Sequence, residues 1–232
     1  SDGYSSDLII GNNVYAHVPD INDFTKGIQI LLKKNGVVTL EFPHLLKLMQ
    51  CSQFDTIYHE HFSYLSLFTV QRIFQGNGLK VFDVDEIPTH GGSLRIYGCN
   101  ISDPREVTNN LKNVLDAEKK YGLQESSTYK DFQNKIEIIK NELIIFLIEM
   151  KKSDKKVAAY GAAAKGNTLL NYAGIKSDLI SFVCDAAHAK QDKYLPGSHI
   201  PIYPPDKLKT TEDDERKFWL FHGCQDLNSL GE

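Results

Sequence analysis

The sequence lacks the features of a membrane span, a disulfide scaffold or a nucleic-acid binder. No apolar run approaches the ~20 residues that a bilayer-spanning helix needs. The opening Ser1-Asp2-Gly3-Tyr4 is neither an initiator Met nor a signal-peptide pattern. Cysteine is scarce and scattered: Cys51, Cys99, Cys184 and Cys224 form no Cys-x-x-Cys pair. Neither a structural zinc site nor a disulfide framework is therefore indicated, and four buried thiols of a cytoplasmic protein are expected. Charge of one sign is also wanting. Lys and Arg number 26 against 30 Asp and Glu, for a net charge of -4. Such a balance sets up no field to draw nucleic acid or an acidic membrane. What remains is ordinary globular material, 41% hydrophobic and 24% charged over 232 residues, enough for two modest domains or one large one. There is no internal repeat and no low-complexity tract.

The chain opens on an apolar run, Asp7 to Ile10, followed by a loop, Asn12 to Asp20. Asp20 or Asn22 can cap a helix carrying Phe24, Ile28, Leu31 and Leu32 at three- and four-residue spacing. Lys33 and Lys34 suit the C-terminal end of that helix, and Asn35-Gly36 stops it. Val37 to Phe42 then reads as a strand ended by Pro43. Strand, helix, strand implies a parallel sheet with covering helices. Further on, a short helix from Phe68 to Phe74 closes at Gly76-Asn77-Gly78. Leu79–Val84 and Leu94–Gly98 read as paired strands of an antiparallel insertion. Residues 104–155 read as helix, with Pro104 at a first turn and Gln124–Thr128 as a loop. Phe132, Ile136, Ile139, Leu143, Phe146 and Met150 form one packing face. A new unit follows: strand Val157–Tyr160, Gly-rich loop, helix to Gly174, and strand Leu179–Cys184 ending at Asp185. That order is the pattern of a nucleotide-binding half. A last strand is expected from Lys217 to His222. Both ends read as cut, so the chain is expected to be a fragment of a longer protein.

Four constellations carry chemistry. Asp55 to Tyr64 places Tyr58, His59, Glu60 and His61 in consecutive positions. Titratable groups crowded where water is scarce suit proton abstraction, although a polar surface loop would also account for them. Gly161 to Thr168 brings backbone N–H groups to the positive end of a helix. There Lys165 adds a point charge, and Asn167 and Thr168 add donors. The loop is neither a dinucleotide fingerprint nor a P-loop, and it equally suits a tight strand-to-helix turn. His90, Gly91, Gly92, Ser93 and Arg95 form a turn with two residues on one strand face, where an Arg can clamp a phosphate. Finally, Asn12, Asn13 and His17 follow the C-terminal end of a parallel strand, where open α/β sheets bind ligands. His59-x-His61 has metal-ligand spacing without a third partner. His44, His188, His199 and His222 stand without context and receive no role.

Together these segments resemble the sugar C-methyltransferases that act on nucleotide-linked 4-keto deoxysugars. The likeness rests on Asn13–Asp20, Asp55–Ser66, His90–Arg95, Tyr160–Asn171 and Tyr194–Ile202, which occur in family order. A departure is Lys190-Gln191-Asp192, where the family pattern has Gly in the last place. The resemblance implies an α/β chain with three parts. Residues 1–103 would be the back half of a Rossmann-type methyltransferase domain with an inserted antiparallel element. Residues 104–155 would be a helical connector, and 156–232 a second, truncated Rossmann-like domain that holds the nucleotide sugar. It implies S-adenosylmethionine as cofactor, with Asn12 and Asn13 on the cofactor side and the main binding loop outside this chain. Zinc would belong only to a missing N-terminal module. A separate polypeptide of this length would then bind the donor poorly and be inactive alone.

The implied reaction removes the proton next to a 4-keto group, and the resulting enolate attacks the donor's methyl carbon. The resemblance assigns His61 as base, with Tyr58, Glu60 and His17 beside it. It places His90, Gly91, Ser93, Arg95, Lys165, Asn167 and Thr168 on a nucleotide-diphosphate sugar, TDP-linked, in a cytoplasmic protein that engages neither nucleic acid nor membrane. A histidine, with a reference pKa of about 6.5, is suited to such work. On a regular strand Glu60 and His61 would face opposite ways, so joint action requires a loop. Two rival readings remain. One is an NAD(P)-dependent oxidoreductase using the Gly161 loop, with Asp185 on a ribose. The other is a non-catalytic nucleotide-sugar-binding module.

Overall fold

The first strand, β1 (Ser6–Asn12), pairs in parallel with β2 (Leu32–Pro43) through α1 (Ile21–Leu31), the expected order. A computed structural model describes residues 5–209 and 219–221. Asp20 caps α1, its carboxylate accepting from the N–H of Asn22 (3.1 Å) and Asp23 (2.9 Å). The helix does not run on to Asn35-Gly36 as its Lys pair suggested. It gives way directly to β2 at Leu32. Lys33 lies in that strand, with its ammonium 2.7 Å from the Asp7 carboxylate. Gly36 lets the two strands close, since a Cβ there would sit 2.8 Å from Leu32 Cδ1 and 3.0 Å from the Ser6 carbonyl.

The chain folds as two compact units. One takes the chain up to Gln53 with His59–Phe132; the other takes Phe54–Tyr58 with the chain from Gln133 on. In the first, β2 is followed by α2 (Leu45–Gln50), which local periodicity did not announce, and by α3 (Leu67–Gly76), capped by Ser66. Then come β3 (Leu79–Ile87) and β4 (Ser93–Asn100), the antiparallel element the sequence anticipated. The mixed sheet has the order β1-β2-β4-β3, with Glu41 facing Arg95 in register. Val38, Leu40, Phe42, Leu94 and Ile96 project from one sheet face into a core with Tyr15, Val70 and Phe74.

The helical stretch begins later than Pro104 suggested. Asp103 accepts from the N–H of Arg105 (2.9 Å) and from its guanidinium (2.8 Å). Such local side-chain bonds compete with a helix. The first helix, α4 (Asn109–Tyr121), starts instead at the Thr108 cap, and α5 (Ser126–Lys152) follows. The partition between the units falls within α5.

The second unit contains β5 (Val157–Tyr160), α6 (Ala164–Ala173), β6 (Phe182–Cys184), β7 (Ile202–Tyr203), α7 (Asp206–Lys209) and β8 (Trp219–Phe221). Its strands are all parallel, in the order β7-β6-β5-β8. β6 is shorter than expected, because the N–H groups of Leu179 and Ile180 turn back onto the Lys176 carbonyl. The expected last strand is present over Trp219–Phe221, while Lys217, Phe218 and His222 lie outside the described residues. Asp192, where the resemblance calls for Gly, has φ of 59°, the left-handed region that Gly occupies without cost. Of the cysteines expected to be buried, Cys99 and Cys184 are, and burial pushes both thiols up. Cys51 is exposed, because it caps the end of α2 at the surface. Cys224 lies outside the described residues. No described helix is long and apolar enough to cross a membrane.

Candidate functional site

In the first unit a single 3-10 turn, Tyr15–His17, links β1 to α1. Its middle residue, Ala16, is buried, and its carbonyl accepts from the N–H of Phe62 (2.9 Å) and Ser63 (3.2 Å). Two backbone bonds thus tie the segment after residue 58 to the loop beyond the first parallel strand. They bring together two histidines 44 positions apart in sequence: the rings of His17 and His61 are 4.7 Å apart between centroids, inclined at 63°. Tyr64 adds an edge contact with His61 at 6.2 Å. Both imidazoles are half-buried. Residues 59–64 form a turn and coil, so the alternation of a strand does not separate Glu60 from His61. His59 and Glu60 are exposed. Tyr58 falls in the second unit, half-buried, with its N–H on the Thr56 carbonyl (3.1 Å). Two imidazoles in edge contact are candidate proton acceptors for general base chemistry.

The Thr89–Gly92 turn also lies in the first unit. His90 is exposed with φ of 55°, and Gly91 and Gly92 have φ of 82° and 115°. Gln53 donates to the Gly91 carbonyl at 2.9 Å. Ser93 is buried with its hydroxyl on the Thr89 carbonyl (3.0 Å), which keeps the turn closed. Arg95 is 40% exposed and pairs with the buried Glu41 at 3.0 Å. Glu41, and after it Tyr97, hold the guanidinium above its already high value. Glu41 accepts from Thr89 as well, at 3.2 Å. Sequence reasoning missed Glu41, whose signal was a lone carboxylate in an apolar strand. Arg95 would therefore meet any anion while already paired with a carboxylate of β2, which also orients it. Asn12 ends β1 in register with Glu41 and Asn13 follows it, both exposed, and the Asn13 N–H donates to the Glu41 carbonyl (2.9 Å).

In the second unit the turn between β5 and α6 starts at Gly161, with φ of 95°. Among the described residues no side chain caps α6, which leaves the N–H groups that open it, ahead of Asn167, to an outside acceptor. Lys165 and Asn167 lie on the first turn of α6, and Thr168 begins the next. Thr168 donates to the Ala164 carbonyl at 3.0 Å. The Asn167 side-chain oxygen is buried without a partner among the described residues. The Phe54–Thr56 turn packs on α6 through the rings of Phe54 and Tyr172, 5.3 Å apart.

Asp185, at the end of β6, acts as a latch for this turn. Its carboxylate accepts from the N–H of Ala162 (2.7 Å), the N–H of Ala187 (2.8 Å) and the ammonium of Lys190 (3.1 Å). Burial alone would raise this carboxyl, but the Ala187 N–H, Lys190 and the Ala162 N–H outweigh it and hold it below its usual range. A depressed carboxyl stabilises the fold above its ordinary value near ~3.9, and the contribution fades as pH falls through the lower folded value. Asp185→Ala is expected to cost about 1–3 kcal/mol at neutral pH, read as a lower urea midpoint. The deficit relative to wild type should shrink below about pH 4.

Among the described residues no group of three or more His, Cys, Asp or Glu stands where it could hold a metal ion. A family model described as the C-methyltransferase C-terminal domain matches residues 88–217. The C-methyltransferase NovU of Streptomyces niveus is 36% identical over 200 residues, covering 86% of this chain and 48% of that protein. The chain thus spans about half the length of that curated relative. Among solved structures, the Haloferax volcanii complex of the Trm112 methyltransferase activator with a methyltransferase is 16% identical. The overlap covers 41% of this chain and 54% of that one, at a TM-score of 0.36. Magnesium protoporphyrin IX methyltransferase of Synechocystis PCC 6803, with bound SAH, is 14% identical over 42% of this chain and 46% of that one, at a TM-score of 0.34. Likenesses of this size assign neither fold nor function.

Proposed function

Because this chain belongs to the C-methyltransferase family, we propose that it serves S-adenosylmethionine-dependent methylation at C3 of a nucleotide-diphosphate 4-keto deoxysugar, TDP-linked. The observation that carries the reading is the His17–His61 pair, two half-buried rings 4.7 Å apart. His61 takes the proton from the carbon next to the ketone, and His17 relays it or hydrogen-bonds the enolate oxygen. Glu60 directly precedes His61, and Tyr64, three residues on, meets its ring edge-on. Tyr58 is assigned a hydrogen bond to the substrate. The donor, when bound, supplies the methyl group that the enolate carbon attacks. Asn12 and Asn13 fit a contributing role on its side, since their amides are exposed at the end of a parallel strand.

The second unit, as a Rossmann-like domain, would hold the diphosphate with the first-turn N–H groups of α6, Lys165, Asn167 and Thr168. His90, Gly91, Ser93 and Arg95 are inferred to be candidates for the same class of ligand, with Arg95 as the cationic group. The oxidoreductase reading loses support, because Asp185, its ribose ligand, already accepts from three donors. The test needs no methyl donor. The chain is incubated in D2O with a thymidine-diphosphate-linked 4-keto-6-deoxysugar, and proton NMR follows C3. Deuterium entry faster than in buffer alone is expected. Tight sugar-nucleotide binding without exchange would instead support the non-catalytic module.

A further inference from the structure

His44 received no role from the sequence, yet it is 1% exposed in the first unit with its Nε2 2.7 Å from Glu118 Oε1, also 1% exposed. The Glu118 carboxylate accepts twice more, from the N–H of Leu67 through Oε1 (2.6 Å) and of Phe68 through Oε2 (3.0 Å). Those two residues open α3. The backbone of His44 reaches the other candidate loop: its N–H donates to the Gly92 carbonyl at 3.0 Å. It also bridges Leu65 in parallel, with the Leu45 N–H on the Leu65 carbonyl at 2.9 Å. The segment carrying His61 is thus held at both ends. Ahead, Phe62 and Ser63 hang on the Ala16 carbonyl; behind, Leu65, Leu67 and Phe68 are pinned by His44, Leu45 and Glu118.

Stability alone does not call for such a pair. Desolvating it costs free energy that an apolar pair of equal volume avoids. What an apolar pair cannot supply is an acceptor for two backbone N–H groups at a fixed place. We propose that His44 and Glu118 are positioning residues, whose buried contact fixes the start of α3 and thereby the setting of His61 against His17. Why that setting matters rests on the function proposed above, whereas the first measurement below does not.

The full chain is compared as His44→Leu, His44→Gln, which keeps an N–H donor, and Glu118→Gln, which replaces one acceptor oxygen by a donor. His44→Leu and Glu118→Gln are expected to fold, by circular dichroism and cooperative melting. Amide exchange at Leu67 and Phe68 should accelerate at least ~10-fold as their acceptor is displaced. The imidazole 15N signals of His17 and His61 should shift and titrate differently, and His44→Gln should restore them. In the deuterium assay kcat should fall at least ~10-fold with KM within about twofold, since substrate contacts are untouched. Folded variants with wild-type ring signals overturn the proposal, and so does His44→Gln behaving like His44→Leu. Loss of the fold in both disruptive variants overturns it too, by making the pair a stability element. Shifted rings in a protein whose wild type exchanges no sugar proton would leave the positioning intact and sink the function.

Discussion

His61→Ala is expected to lower deuterium entry at C3 of the keto sugar, and methyl transfer wherever the donor is bound, by about 10²–10⁴-fold. Sugar-nucleotide affinity should stay within about twofold. The size follows from the role: removing the proton acceptor takes away a term realised only in the transition state, which appears in kcat and not in binding. The fold should tolerate the change. The His61 ring is half-buried, and its backbone neighbours, not its side chain, carry the hydrogen bonds to Ala16. His17→Ala removes a relay partner rather than the base and should cost less. Glu60→Gln should cost least of the three, since that carboxylate is exposed. Exchange rates by NMR and dissociation constants by calorimetry separate these outcomes. Near-normal exchange in His61→Ala would remove it from the role of base.

What the sequence displayed was whatever is encoded within a few residues. The Asp20 cap, the Gly stop after α3 and the Gly161 turn are local devices, and each stands where it was expected, whereas Leu31 of α1 is exposed and Leu32 falls in β2. The Tyr58–His61 cluster stood out as a candidate because its groups are consecutive. Its partner His17 could be suspected only from its place after a parallel strand. The remainder depends on partners far apart in sequence. Glu41 meets Arg95 at a separation of 54 residues, and His44 meets Glu118 at 74. No periodicity records such pairs, and a His in a segment of Leu and Lys has no local reason to be buried. Pro104 misled for the same cause: it was a sound helix start until Asp103 found the Arg105 guanidinium. Asp185 shows a right position with another use. An acidic residue at the end of a second strand suggested a ribose ligand, but its oxygens are filled by the turn it closes.

Tyr15 joins the core to the site, and its replacement should have the largest effect on stability. Its ring is wholly buried among Phe24, Phe42 and Phe74, at centroid distances of 6.0, 6.1 and 6.4 Å. Its hydroxyl lies 2.7 Å from that of Thr25, which itself donates to the Ile21 carbonyl. Tyr15→Ala is expected to cost about 3–5 kcal/mol, and to loosen the turn whose Ala16 carbonyl holds the His61 segment. Tyr15→Phe probes the hydroxyl alone. Burial, only partly offset by the Thr25 bond, pushes the phenol up to about 12. It therefore stays neutral at physiological pH and has no part in proton abstraction. A raised phenol stabilises the fold fully below its ordinary value near 10, and the contribution drains away as pH rises through about 12. The loss amounts to roughly 3 kcal/mol. Tyr15→Phe, which forgoes about 1 kcal/mol at neutral pH, escapes that alkaline loss. Urea unfolding between pH 7 and 12 should show the mutant less stable at first, the two curves crossing near about pH 11, and the wild type less stable beyond. Parallel curves throughout would mean that the phenol ionises as freely in the fold as in the unfolded chain, and that the packing around Tyr15 is not what holds this turn.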